Sequence, residues 1–111
     1  MKYKIAVGSR DGKAVTEHFG GCERFIIITV DEESSTYKFD GFREVAPVCN
    51  GGEHSENGLE AAAETLSDCR IVLVARIGNG AQLVLERHGI DVLEYYGLIE
   101  DALKRILQYY R

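Results

Sequence analysis

The chain has no excess of basic residues: 13 Lys and Arg stand against 18 Asp and Glu, for a net charge of −5. Phosphate backbones attract the opposite balance, so broad nucleic-acid binding is excluded. Long apolar runs are also lacking. The longest, Phe25 to Ile28 and Ile71 to Ala75, fall far below the roughly 20 residues that a membrane span needs. The amino terminus enters strand-like Lys4-Ile5-Ala6-Val7 without a leader pattern, so a cytoplasmic protein with no membrane partner is expected. Cysteines number 3, an odd count that no disulfide framework explains. In a reducing compartment they are left to burial, redox chemistry or metal ligation. One Pro beside 12 Gly, with 45% hydrophobic and 28% charged residues, excludes disordered and fibrous classes. The 111 residues suffice for one core and not two, so a single domain over 1–111 is expected.

Periodicity places the elements. Lys2 to Val7 reads as a strand, and Phe25 to Val30 as a second, joined to a third at Thr36 to Val45 through the polar turn Asp31-Glu32-Glu33-Ser34-Ser35. Leu59, Ala62, Ala63 and Leu66 recur at helical spacing between Glu56 and Ser67. Ile71 to Ala75 has the continuous apolar character of a central strand covered on both faces. A helix follows, with Asn79 as its expected N-cap and Gly89 as its stop. Asp91 to Tyr95 is a short strand. Leu98, Ala102 and Ile106, with Ile99, Leu103 and Leu107, mark a last helix. The order βββαβαβα is α/β, and the ends of strands one, three and four fall on one edge of a sheet. Ligands bind at that edge in open α/β sheets. Two long segments leave it, Gly8 to Glu23 and Ala46 to Gly58, with the turn Ile77-Gly78-Asn79-Gly80 beside them.

Those segments hold the side chains with chemistry. His18 and Cys22 stand four apart, a spacing that a tight turn can bring to one ligand. The same spacing equally suits a His18 bonded to Glu17, Asp11 or a carbonyl, with Phe19 anchoring the loop to the core. The second segment carries Cys49 and His54 around Gly51-Gly52, and Cys49 is expected to be exposed. Thiolate and imidazole together suit zinc, iron and iron-sulfur species, whereas calcium or magnesium would want oxygens. No Cys-x2-Cys knuckle marks a structural zinc site. Cys69 reads as a small hydrophobe beside the central strand, and His88 as a polar residue at a helix end. The pairs Tyr95-Tyr96 and Tyr109-Tyr110 read as cover for core edges. There is no Gly-x-Ser-x-Gly elbow, no Walker pattern and no Gly-x-Gly-x-x-Gly, although Gly78-Asn79-Gly80 could cradle an anion. Too few carboxylates stand at strand ends for a magnesium nuclease.

Gly8-Ser9-Arg10-Asp11-Gly12 and His18-Phe19-Gly20-Gly21-Cys22 resemble the dinitrogenase iron-molybdenum cofactor biosynthesis family. The likeness continues through Cys49-Asn50-Gly51-Gly52-Glu53-His54, Ser67-Asp68-Cys69, Ile77-Gly78 and Gly97-Leu98-Ile99-Glu100-Asp101-Ala102, over nearly the whole chain. It implies a ribonuclease H-like α/β fold without nuclease activity: a five-stranded mixed sheet of order 3-2-1-4-5, strand 2 antiparallel, with helices on both faces. It also implies binding of an iron-sulfur or iron-molybdenum cofactor precursor cluster, no catalysis, and partners that donate and accept metalloclusters. His18 is the implied cluster-binding residue. A carrier holding an anionic cluster through few soft ligands fits His18, Cys22 and Cys49 as metal ligands, with His54 and Arg10 also at the site and Lys13 and Arg43 offsetting charge. The alternative is a metal-free module for a small anion or a protein, with Cys22 and Cys49 as a redox-sensitive pair.

Overall fold

Central strands covered on both faces need apolar residues at every position, and Ile5-Ala6-Val7 and Ile71-Val72-Leu73-Val74 supply them at the middle of the fold. The computed structural model describes residues 1–45, 49–50, 53–54 and 56–109, the side chains of 49, 50, 53, 54, 56 and 57 excepted. In chain order the elements are β1 (Lys2–Val7), β2 (Ala14–Val15), a 3-10 turn (Phe19–Gly21), β3 (Arg24–Asp31), β4 (Thr36–Glu44), β5 (Cys49–Asn50), β6 (Glu53–His54), α1 (Glu56–Thr65), β7 (Cys69–Val74), α2 (Asn79–Arg87), β8 (Asp91–Glu94), β9 (Gly97–Leu98) and α3 (Ile99–Tyr109). The main sheet runs β4-β3-β1-β7-β8. With the two-residue strands set aside this is the expected 3-2-1-4-5 order: β3 is antiparallel to both its neighbours, while β1, β7 and β8 run parallel.

Alternate residues of the central strands feed two cores. Ala6, Val72 and Val74 pack with Leu59, Ala62, Ala63 and Leu66 of α1 and with Val84 and Leu85 of α2. Ile5, Val7, Ile71 and Leu73 pack on the other face with Ile99, Ala102, Leu103 and Ile106 of α3. The helices therefore cover both faces, as expected. Among the described residues no helix is long and apolar enough to cross a membrane.

Local chemistry explains where the helices stop. Gly89 takes φ +78°, and the Gly89 and Ile90 amides donate to the Glu86 and Leu85 carbonyls at 3.0 and 3.1 Å. This is a Schellman ending, completed by burial of both Leu85 and Ile90. The start of α2 differs from expectation: Gly78 is the N-cap and Asn79 the first helical residue, with no side chain capping the end. Leu98 also lies outside its expected helix, in β9, where it pairs with Ala14 of β2 and stays half exposed. Tyr96 and Tyr109 are exposed instead of covering core edges, and Tyr110 lies outside the described residues. His88 ends α2 as expected, its Nε2 2.7 Å from Glu60 Oε2 of α1.

Edge strand β4 is protected by its own irregularity. Its register with β3 shifts between Ile26 and Ile28, and Gly41 sits at φ +108°, so the strand bulges where a foreign strand would otherwise pair. Arg43 reaches from β4 to the start of β7, engaging both carboxylate oxygens of Asp68 and the Thr65 carbonyl. That guanidinium holds the Asp68 carboxyl down at about 2. A carboxyl lowered in the folded state stabilises above its unfolded pKa, and the contribution is lost as pH falls from about 4 to about 2. Asp68→Asn should therefore flatten the acid limb of a melting-temperature profile over that window, and an unchanged limb would show that the pair carries no linkage. Cys69 packs beside this pair at 3% exposure, as expected for a small hydrophobe, and burial pushes its thiol up to about 11.

Candidate functional site

Gly8, at the end of β1, is the point from which the site is built. Its amide donates to the Leu73 carbonyl of β7 at 2.9 Å, and its carbonyl accepts from the Thr16 and Glu17 amides at 3.1 and 3.2 Å. The loop between is closed on itself, with Asp11 Oδ1 accepting from the Lys13 and Ala14 amides and Ser9 Oγ from the Gly12 amide. The chain thus returns to β7 at Glu17. There it continues the sheet by two rungs: the Ala75 amide donates to the Glu17 carbonyl at 3.0 Å, and the Phe19 amide to the Arg76 carbonyl at 2.9 Å. His18 is thereby set beside Arg76 in a parallel bridge.

Extended backbone at His18 (φ −77°, ψ 141°) turns neighbouring side chains to opposite sides. Phe19 goes inward at 3% exposure and meets the Phe25 ring at 5.8 Å. His18 goes outward, and its ring makes no hydrogen bond to any described residue. The expected bonds to Glu17 or Asp11 are not made. The ring lines an open cavity of about 610 Å³ whose other walls are the 3-10 turn, Leu59 of α1, Arg76, Ile77 and the first turn of α2. The turn from β7 into α2 is pinned there, since Glu94 Oε2 accepts from the Ile77 amide at 3.0 Å. A second cavity of about 580 Å³, between β4 and α3, is lined mainly by apolar side chains such as Phe39, Phe42 and Leu98.

The other expected site residues are placed differently. Cys22 lies at 2% exposure in the core, its thiol donating to the Arg24 carbonyl, and burial pushes it up to about 11. The 3-10 turn swings Cys22 in with Phe19, so it does not share the cavity with His18, and ligation would require a thiolate that this position disfavours. Arg10 is exposed, 3.7 Å from Glu17, and does not line the cavity. Arg43 is committed to Asp68, and Lys13 lines the apolar cavity. The side chains of Cys49 and His54 lie outside the described residues. Their backbones pair in β5 and β6, Cys49 opposite His54, with β5 beside the 3-10 turn. Among the described residues no three His, Cys, Asp or Glu side chains converge on a common point. Arg76 was absent from the expected set. Its signal is its position, a basic residue directly after the apolar run of a central parallel strand.

In a Cys49→Ser chain at pH 8, Cys22 and Cys69 should react with a thiol reagent about a hundredfold more slowly in the native than in the unfolded protein. Fast native labelling of Cys22 would return it to the candidate ligands.

A doubly covered α/β sheet with an open cavity at the carboxyl ends of its parallel strands belongs to the class of open α/β folds that bind ligands at that edge. The chain belongs to the dinitrogenase iron-molybdenum cofactor family, which it matches over residues 1–109. It is 40% identical over 99 residues to the FeMo cofactor biosynthesis protein NifB of Chlorobaculum tepidum, covering 89% of this chain and 22% of that protein. The NifB of Herbaspirillum seropedicae is 37% identical over 92 residues, 83% of this chain and 17% of its own length. The chain thus spans about a fifth of these relatives. Among solved structures, the apo orange protein of Desulfovibrio gigas shares the fold with a TM-score of 0.62 at 19% identity, over 96% of this chain and 88% of its own. A protein of Methanocaldococcus jannaschii does so with a TM-score of 0.62 at 12% identity, over 98% and 91%.

Proposed function

We propose that the domain is a non-catalytic carrier that binds an iron-sulfur or iron-molybdenum cofactor precursor cluster and passes it between donor and acceptor proteins. The observation that carries this reading is His18. Its imidazole, a ligand suited to iron, stands exposed and without a described partner on the wall of an open cavity, in a chain of the cofactor family. A carrier must hold its cargo through few protein ligands, so that iron positions stay open for transfer, and one imidazole satisfies that requirement. Cys49 and His54 are the candidates for a second contact, on the hairpin beside the turn that follows His18. The buried thiol of Cys22 speaks against the redox-pair alternative, because disulfide exchange needs an accessible thiolate.

The test is anaerobic reconstitution with iron and sulfide, followed by metal analysis and electron paramagnetic resonance. Wild type should take up cluster, His18→Ala should lose most of it, and both should melt at the same temperature because the ring is exposed and makes no hydrogen bond to a described residue. Equal uptake by His18→Ala would remove His18 from the site, and no uptake by wild type would leave the metal-free module as the reading.

A further inference from the structure

Nearly every arginine of the described chain is accounted for. Arg10, Arg43 and Arg70 pair with Glu17, Asp68 and Glu32. Arg24 and Arg105 lie over the rings of Phe42 and Tyr95. Arg87 occupies the last turn of α2, where the helix dipole favours a cation. Arg76 has none of these supports: among the described residues no carboxylate or ring engages it, and it is exposed on the wall of the His18 cavity. Among the described arginines, a guanidinium with neither a carboxylate, a ring nor a helix end to support it is the exception. It is also the one formally charged side chain lining that cavity among the described residues.

Its placement is fixed from both sides. The Arg76 carbonyl accepts the Phe19 amide, and the next amide, of Ile77, is held by Glu94. The parallel bridge puts His18 beside it, so both side chains belong to one cavity wall. We propose that Arg76 is the residue by which this cavity recognises negative charge. Its guanidinium holds the anionic face of the cargo while the His18 imidazole makes the coordinate bond. The proposal takes its cargo, a sulfide-rich cluster of net negative charge, from the carrier reading. A neutral imidazole contributes no charge, and the protein's own −5 repels an anion. The compensating charge has to be local. Arginine suits the task because its planar, weakly hydrated donors meet a delocalised anion at little desolvation cost.

The test compares wild type, Arg76→Ala, Arg76→Lys and His18→Ala with two probes. The first is a synthetic four-iron cluster dianion capped by labile thiolates, one of which the His18 imidazole displaces and releases to solvent as it binds iron; it is titrated without oxygen at several salt concentrations. Arg76→Ala should bind it about tenfold or more weakly, the loss expected for one charge-assisted contact. It should also show a shallower salt dependence. The absorption and resonance spectra of the bound cluster should stay as in wild type, because the coordinating ligand is intact. Arg76→Lys should recover part of the affinity, and His18→Ala should instead change the spectra. The second probe is sodium sulfate against sodium chloride at equal ionic strength, read on the Arg76 side-chain Nε–Hε and His18 ring signals by nuclear magnetic resonance. Sulfate should shift both in wild type, and should leave the His18 signals unmoved in Arg76→Ala.

The two ideas fail separately. If wild type takes no cluster but sulfate moves the cavity signals through Arg76, the carrier reading falls and the anion residue stands. If Arg76→Ala binds cluster with unchanged affinity and salt dependence, or if sulfate leaves the wild-type cavity unmoved, the assignment of Arg76 is overturned. Melting temperatures should agree within error across the set, since neither side chain is buried.

Discussion

Phe25→Ala is expected to lower the free energy of unfolding by about 3–5 kcal/mol, the cost of deleting a fully buried aromatic side chain and leaving part of its cavity unfilled. Phe25 is 0% exposed, and the ring it meets, Phe19, belongs to the turn that carries His18. A domain of this size is held by about 5–15 kcal/mol in total, so the variant should approach the limit of stable folding. Leu103→Ala removes a side chain at 1% exposure from the opposite core and should cost about 2–5 kcal/mol. β1 and β7 contribute to both cores, so urea titrations should show each variant shifting one cooperative transition, without a second phase. A Phe25→Ala cost below about 1 kcal/mol would mean that the site lies on a face able to collapse around the loss. Two separate transitions for the Leu103 variant would mean that the faces fold as independent units.

These elements were readable because their periods are long enough to register. β1 and β7 carry apolar residues at every central position, and Leu59, Ala62, Ala63 and Leu66 repeat over two helical turns, so burial on one or both faces leaves no other pattern. The two-residue strands β2 and β9 have no period to read. Their pairing depends on the loop after β1 returning to the start of α3, where the Ile99 amide meets the Lys13 carbonyl at 2.8 Å. For the same reason the sequence offers Leu98 as the first apolar position of α3: its spacing to Ala102 is helical, while its contact is with β2. At the start of α2, Asn79 has the side chain preferred at an N-cap, yet Gly78 has the extended backbone that a cap requires.

Residue type and a spacing of four point to His18 and Cys22 alike, and the family resemblance adds to His18 alone. What separates them is a turn of three residues. A strand continuing past His18 would have kept Phe19 and Cys22 on opposite sides, whereas the 3-10 turn brings Cys22 back under the Phe19 position and into the core. Spacing of four cannot distinguish these outcomes. Nearness in sequence points to Arg10, Lys13 and Arg43 as the cations of the site and gives no sign of Arg76. The cation that shares the wall with His18 is 58 positions away and arrives through the parallel bridge to β7.

That bridge depends on a glycine, and Gly8→Val is expected to damage stability and site together. A Cβ at Gly8 would meet Val74 Cγ1 at 3.1 Å and Glu17 Cβ at 3.2 Å. Neither contact is with the free end of a flexible chain, and valine adds two further carbons that cannot turn away from both. The strand must therefore open at the place where Gly8 holds Leu73 on one side and Thr16 and Glu17 on the other. Overpacking of this kind costs about 1–3 kcal/mol. The consequence for the site should be larger than that for the fold. Once Glu17 moves away from β7, its carbonyl no longer accepts the Ala75 amide, and His18 loses its register beside Arg76. Gly21→Ala provides the contrast, because a Cβ there meets nothing within 4 Å, and its melting temperature should match wild type. The measurements are melting temperature and cluster uptake, with amide exchange at Ala75 and Phe19 as the direct report on the ladder. Faster exchange at both amides in Gly8→Val, with uptake reduced as far as in His18→Ala, is the expected outcome. If Gly8→Val keeps slow exchange and full uptake, the ladder built on Gly8 is not what presents His18 to the cavity.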